Sequence, residues 1–397
     1  MVRTFLIQVS VILIISSLGA ATVATSRPGP HDLDDDAPQA AIKAAGRPRA
    51  YNSRSVDIEN RTIDEIYNAA MKEQGTLRVS WGGDVQASKN DIMEAFTARF
   101  PNIKVNITLD VSKYLDSSAD LAYNSTKGKD NGVDVTVLQS VQNFPRWKSQ
   151  GRLLPYKVAP WNDIQPEFVD PDGAYTGLYI FTLGDTVYNS TITNNATLPK
   201  TYLDCLLPEW KHRIVLTYPN DDDAVLFLFK GITEKYGFDY LQQLQQQNVS
   251  WVRGTATPSI LIAGTGAAAY LPNVAQNAGM ISFASSSAFT SGIAVQLSND
   301  AYMSWPQTGA IFATTKMPES SRLFLSFLMD DQWQEIVSQG RFATRRKYDG
   351  EHIMQQKGHE PTRYVKFMSD RQKVEEFRFQ IEKVLGTAQG IDPVELW

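Results

Sequence analysis

Apolar and polar positions along the chain switch repeatedly between a two-residue and a 3.6-residue period, and their order predicts an α/β protein. From Thr62 onward Ile63, Ile66, Tyr67 and Met71 have helical spacing. Thr62 as N-cap with Glu65 three places on has capping-box spacing, and Gly75 ends the helix. TLRVSW follows as a strand, with Leu77 and Val79 alternating with Arg78 and Ser80. ASKNDIMEAFTARF reads as a helix with Ile92, Met93, Phe96 and Phe100 on one face and Pro101 closing it. NIKVNITL is a second strand, with Val105, Ile107 and Leu109 on one side. A helix around Tyr114 to Tyr123 then precedes the valine-rich strand GVDVTVLQ. Strand, helix, strand, helix, strand within about 65 residues marks an open parallel sheet. Sites on such sheets lie beyond the carboxyl ends of the strands. That rule places Trp81–Asp84 and Gln139–Asn143 on one rim.

Farther along, DGAYTGLYIFTLGDTVYN is β-rich. A short helix up to Cys205, a strand around Ile214 to Tyr218, a helix over Ala224 to Tyr236 and another in GFDYLQQLQQQ follow. ATPSILIAGTGAAAYL has Pro258 suited to a first helical turn. These segments make a second α/β unit. Strand-like ISFAS and AIFAT come next, then one strong helix, SSRLFLSFLMDDQWQEIVSQG. Its predicted buried stripe is Leu323, Phe324, Phe327, Leu328 and Ile336, and a last helix covers Arg371 to Leu385.

The N-terminus changes the picture. Arg3, an apolar run from Phe5 to Ile15 and small residues up to Ala24 predict a secretory signal peptide over residues 1–24. The apolar run is shorter than the roughly 20 residues a bilayer span needs, although a membrane anchor is the competing reading. Residues 25–60, rich in Pro, Ala and charge, predict a disordered leader. Six N-x-S/T sequons, at Asn60, Asn106, Asn124, Asn189, Asn195 and Asn248, predict surface glycans on a secreted chain. Cys205 is the only cysteine, so an intrachain disulfide and a zinc ribbon are ruled out, and its place between Leu203 and Leu206 points to burial. A net charge of −5 without a basic cluster argues against nucleic acid as a partner.

The order of these segments resembles the type II periplasmic binding proteins, in particular the extracellular solute-binding family that includes ferric-iron and thiamine binders. GTLRVSWGGD is similar to that family's opening strand and ligand loop, GVDVTVLQS to its third strand and WKSQGRLLPY to the turn after it. DGAYTGLYIFTLGDTVYN resembles the crossover, LPKTYLDCLLPEWKHRIVL the Pro-x-Thr block, and SRLFLSFLMDDQWQEIVSQGRFATRR the closing helix with its Gly-Arg tail. The resemblance implies a two-lobed fold, each lobe a mixed sheet flanked by helices, hinged by crossover strands and closing on a small ligand. Residues 61–178 would begin the first lobe, 185–275 form the second, and 276–397 return to the first lobe and add C-terminal helices. It implies a monomeric binding protein with no cofactor, taking a metal complex, a thiamine-like or other small organic cation, or a small anion. Sequons and the leader, with no lipid-anchor cysteine near the signal end, suggest a secreted eukaryotic (fungal) relative and leave the transporter partner open.

The candidate ligand-binding residues are Trp81, Gly82, Gly83 and Asp84 on the first loop, and Gln139 and Ser140 after the third strand. Glycines admit close backbone approach, Trp81 can stack on a cation, and Asp84 can pair with one. Asp84 or Ser88 could equally cap the following helix. Thr255, Thr257 and Ser259 flank a helix start where unpaired N–H groups favour an anion, or where they simply cap. Tyr179 and Trp305 could form an aromatic wall or lie in the core. The acidic run Asp221 to Asp223 reads as a solvated turn. There is no Tyr-Tyr step, as ferric binders use, and the four histidines lack metal spacing. No G-x-S-x-G, G-x-x-x-x-G-K or G-x-G-x-x-G motif is present. The alternatives to solute binding are a hydrolase or transferase using the same cleft, and a cell-wall or interaction protein with a degenerate cleft.

Overall fold

A computed structural model describes residues 56–189, 198–264, 280–285, 292–339, 342–350, 352–356 and 361–395. The predicted signal peptide, most of the leader and Asn195 lie outside them. Helix α1 (Ile63–Ala70) starts with the expected capping box: Glu65 N–H donates to Thr62 Oγ1 at 3.2 Å and Thr62 N–H to Glu65 Oε2 at 2.7 Å. Its stripe is narrower than predicted, because Met71 falls at the C-cap and is exposed.

Strands β1 (Leu77–Gly82), β2 (Val105–Asp110) and β3 (Val135–Leu138) pair in parallel with β1 in the middle, joined by α2 (Gln86–Arg99) and α3 (Ser112–Ser125). The alternation expected for TLRVSW gives way to burial on both faces of β1, since helices cover a parallel sheet from both sides. After α4 (Asn143–Ser149) and the short β4 (Leu153–Leu154) comes β5 (Thr176–Leu183), leading into β6 (Thr186–Asn189).

The second unit holds β7 (Val215–Thr217), α5 (Asp223–Tyr236), α6 (Asp239–Gln246), β8 (Ser250–Val252), α7 (Thr257–Ile262), β9 (Ile281–Ser282) and β10 (Ile293–Gln296). Strands β7 and β8 are parallel, β6 lies antiparallel between β9 and β10, and a bridge from Ile214 to Ile281 links the two sets. The segment before β7 forms 3-10 turns at Leu203–Leu206 and Pro208–Trp210 rather than the expected helix.

The long β11 (Met303–Phe312) returns antiparallel between β5 and β3, and β12 (Phe342–Ala343) closes the large sheet beyond β5. The strong helix predicted next is two: α8 (Pro318–Met329) and α9 (Asp331–Ser338). Asp330 is extended and accepts the Trp333 N–H at 2.8 Å, so its side chain starts a new helix where the stripe suggested continuity. The break rotates Ile336 off the buried face, leaving it 55% exposed. Helices α10 (Pro361–Ser369), which the pattern did not predict, and α11 (Arg371–Leu385) complete the described chain.

Two large apolar cores result, with two smaller clusters beside them. One gathers Leu77, Val79, Phe96, Ile107, Val135, Leu178 and Phe324; the other gathers Cys205, Leu216, Phe229, Tyr240, Phe283, Met303, Tyr364 and Phe377. Helices α10 and α11 therefore pack on the second core. Among the described strands and helices only β5 and β11 contribute to both: Leu178, Tyr179 and Ile311 lie in the first, Leu183 and Met303 in the second. The structure is the two-lobed α/β fold.

Phe96 is the centre of an aromatic cluster, with ring centroids 5.1 Å from Phe100, 5.1 Å from Phe324 and 5.4 Å from Phe327. Phe96→Ala is expected to destabilise the protein by about 3–5 kcal/mol in urea unfolding. Exposed Ile336→Ala should stay within about 0.5 kcal/mol. Similar losses for both would contradict the break at Asp330.

Candidate functional site

Where β1, β3 and the crossing pair end, the two cores face each other across a cavity of about 260 Å³. Its floor is aromatic. Trp81 closes β1, Tyr179 and Phe181 lie on β5, and Trp305 lies on β11 opposite Phe181. Neighbouring rings are 6.2 Å (Trp81–Tyr179), 5.4 Å (Tyr179–Phe181) and 5.2 Å (Phe181–Trp305) apart. Trp81, Tyr179 and Trp305 are each no more than 3% exposed and still border the cavity, so the core and wall readings hold together.

A β-bulge between Gln307 and Thr308 sits beside this floor. Gln307 lies buried there and donates through Nε2 to the Gly82 carbonyl at 3.0 Å. Bulges re-aim side chains, and this one turns an amide inward to tie the crossover to the end of β1.

The two glycines have different reasons. A Cβ on Gly82 would stand 2.2 Å from Ser112 Oγ, so Gly82 exists for packing between β1 and α3. A Cβ on Gly83 would make ordinary contacts alone, with Leu109 at 3.5 Å and Trp81 at 3.9 Å. The Gly83 N–H donates to the Asp110 carbonyl at 3.0 Å and is thereby committed within the first lobe.

Asp84 neither caps α2 nor turns to solvent. The N-cap of α2 is Val85, with no side-chain bond, while Ser88 Oγ donates to the Val85 carbonyl at 2.7 Å. Asp84 Oδ2 instead accepts the Ala256 N–H of the second lobe at 2.9 Å and faces Thr255 Oγ1 at 3.5 Å. Burial raises its carboxyl above the usual range, against the lowering effect of these backbone bonds.

Further bridges run beside it. Gln139 Nε2 donates to Asp222 Oδ2 at 2.8 Å, and Asp222 Oδ1 caps α5 by accepting Ala224 N–H at 2.8 Å. Burial pushes the Asp222 carboxyl up to about 6. Lys113 Nζ donates to Asp221 Oδ1 at 2.7 Å, Arg253 Nε to Asp221 Oδ2 at 3.0 Å, and Arg253 Nη2 to the Tyr114 hydroxyl at 3.0 Å.

Of the predicted residues, Trp81, Gly82, Gly83, Asp84, Gln139, Tyr179, Thr255 and Trp305 border the cavity. Ser140, Thr257 and Ser259 do not; each is buried, at 1%, 0% and 0% exposure. Ser259 lies in a hydrogen-bonded group behind α7: its N–H donates to Ser285 Oγ at 3.1 Å, and Ser285 Oγ donates to the Thr255 carbonyl at 2.9 Å. Sequence reasoning missed Phe181, Gln307, Ser112 and Gly254, and read Asp221 and Asp222 as a solvated turn. The signals were there: Gln307 is an amide inside an apolar strand, and Asp222 stands at the head of an apolar helix. Only packing showed that both face the cleft.

A wider polar groove of about 700 Å³ lies between α3, α4 and α11. Two of its arginines are matched within it, Arg146 to Asp120 at 2.6 Å and Arg378 to Asp223 at 2.5 Å. Among the described residues no helix is long and apolar enough to cross a membrane.

Two α/β lobes, a pair of strands shared between them and a cavity walled from both sides define a periplasmic-binding-protein architecture. The chain belongs to the bacterial extracellular solute-binding protein family, whose model matches residues 130–357. It is thus a binding protein rather than an enzyme, of a family that acts outside the cytoplasm. Solved structures agree in fold. The substrate-binding protein of an ABC transporter from Agrobacterium tumefaciens has a TM-score of 0.61 at 14% identity, covering 79% of this chain and 96% of that one. AfuA from Actinobacillus pleuropneumoniae, with fructose-6-phosphate bound, has 0.57 at 14%, covering 79% and 100%. Iron-bound HitA from Pseudomonas aeruginosa has 0.53 at 16%, covering 78% and 99%. No curated protein matches the sequence.

The glycine pair separates two explanations by substitution. Gly82→Ala is expected to lower stability by about 1–3 kcal/mol in chemical denaturation, because the new methyl meets Ser112. Gly83→Ala should cost less than about 1 kcal/mol. Equal effects would show that Gly82 is not a packing glycine.

Proposed function

We propose that the protein captures a small organic cation with a flat or apolar body in the interlobe cavity. The observation that carries this is the chemistry of the wall: three carboxylates, Asp84, Asp221 and Asp222, and four aromatic rings border the cavity, with no Lys, Arg or His among the described bordering residues. A cation gains from the aromatic wall and from the desolvated carboxylates of Asp84 and Asp222, whereas an anion would face those two carboxylates; Asp221 is already paired to Lys113 and Arg253. Solved structures of this one fold hold iron in HitA and fructose-6-phosphate in AfuA, so the fold leaves the ligand to the cavity. A direct ferric site is disfavoured by geometry. Asp84 faces Ala256, Asp221 faces Lys113 and Arg253, and Asp222 faces its own helix, so the carboxylates do not converge on one point. Tyr179 is the single tyrosine among the described residues of the wall. The open volume also speaks against a degenerate, side-chain-filled cleft.

Calorimetric titration with thiamine, choline and spermidine, set against inorganic phosphate, tests the reading. Binding of at least one cation, weakened about tenfold or more by Asp222→Asn, supports it. Binding of phosphate alone overturns it. The pH dependence has a definite sign. Burial raises the carboxyl pKa of Asp222 to about 6 and also raises that of Asp84. A bound cation favours the ionised forms, so binding releases protons. Affinity for thiamine, whose thiazolium charge does not titrate, should fall up to about tenfold per pH unit below 6 and level off above it.

Secretion and glycosylation are read from residues 1–24 and the sequons. Asn60, Asn106, Asn124 and Asn248 are exposed, while Asn189 is half-buried with Nδ2 facing the Ile262 carbonyl at 3.4 Å. Peptide mapping of secreted protein before and after N-glycosidase is expected to find glycans on the exposed four and least on Asn189. A secreted chain unmodified at all of them would reject this reading.

A further inference from the structure

We propose that the segment following α11, residues 386–395, is a strap that latches the two lobes closed over the cavity. The segment begins on the second lobe. Helix α11 packs there through Val374, Phe377 and Ile381. Gly386 leaves it in a left-handed conformation, φ +77°, and its carbonyl accepts Asn220 Nδ2 at 3.0 Å. Up to this point every attachment is to one lobe.

Gly390, at φ +118°, then turns the chain across the cleft. Asp392 brings its carboxylate 3.9 Å from Arg253 of the second lobe. Its charge also acts on Asp110, at the end of β2 in the first lobe, adding to the burial that raises that carboxyl. Pro393 is buried against Gly254, where a Cβ would stand 2.6 Å from the proline Cβ and 2.8 Å from Asp84 Oδ2. Gly254 is also left-handed, φ +82°, so one bare backbone position lets the strap from one side and Asp84 from the other meet at the same place. Val394 then packs against the first core. A few residues thus touch both lobes, and Pro393 meets Gly254 two residues from the Ala256 N–H that Asp84 holds.

Arg253 is the fulcrum. It holds Asp221 of its own lobe, the Tyr114 hydroxyl of α3 in the first, and Asp392 of the strap. Lobe opening must part Val394 from the first core or Pro393 from Gly254, in addition to breaking the side-chain bridges. Each contact made only in the closed form shifts the equilibrium toward it.

The test needs no ligand, so its failure is distinct from failure of the organic-cation reading. Amide hydrogen exchange is measured at Ala256 and along β3 in the full-length protein and in two variants. Val394→Asp removes the packing on the first core, and Asp392→Arg sets a like charge against Arg253. Both are expected to raise exchange at Ala256 about tenfold while β3 amides keep their wild-type rates, with Val394→Leu restoring protection. Unchanged exchange at Ala256 in both variants overturns the strap. Exchange rising equally in β3 also overturns it, since that would mean the segment merely supports the fold.

Discussion

One pair of antiparallel strands belongs to both cores, and the site follows from that. Strands β5 and β11 pair from Met303–Leu183 to Gly309–Thr176, with one register shift at the Gln307/Thr308 bulge, so one end of the ribbon is buried in each lobe. Backbone hydrogen bonds fix that ribbon, and neither lobe can slide along it without exposing apolar side chains. The remaining freedom is rotation beyond the ends of the pairing. A cleft must form at the point where the ribbon leaves the first sheet. Trp305 and Phe181, paired across the strands there, become its floor.

Closure across the cleft is polar where the cores are apolar. Asp84, Gln139, Lys113 and Tyr114 reach from the first lobe to Ala256, Asp222, Asp221 and Arg253 on the second. Contacts of this kind contribute little net energy when part-exposed, which suits a joint that must open. The buried carboxylates have a different role. Asp84 and Asp222 sit in surroundings that disfavour their charge, so they respond to whatever charge the cavity holds. Structural and binding functions meet in the same side chains. Asp222 caps α5, accepts Gln139 and borders the cavity at once.

Legibility varied with the range of the interaction. The first three strands and the helices between them were readable because their stripes reflect burial against near neighbours. The capping box at Thr62 and α11 at Arg371–Leu385 were readable because local spacing specifies them. The break at Asp330 was not, because apolar positions on both sides keep helical spacing while one carboxylate restarts the turn. Helix α10 escaped notice because its buried Tyr364 and Met368 find partners only in the distant second core. The rim of Trp81–Asp84 was foreseen from strand order, yet the reason for its glycines was not. Gly82 answers to Ser112, and Gly83 gives its N–H to Asp110.

The resemblance of the ordered segments implied the two lobes, while the sequence by itself determined the alternation of elements and the side of the sheet where a site would lie. Those depend on periodicity and strand order, which are properties of consecutive residues. Tertiary structure decided which residues share the cavity and what each one does there. It drew Asp221 and Asp222 into the wall, sent Ser140, Thr257 and Ser259 into the interior, and turned Asp84 from a possible cap into a bridge. Those outcomes rest on contacts between residues up to 225 positions apart, such as Gln307 with Gly82. No local pattern encodes them, because the partner is supplied by the other strand or the other lobe.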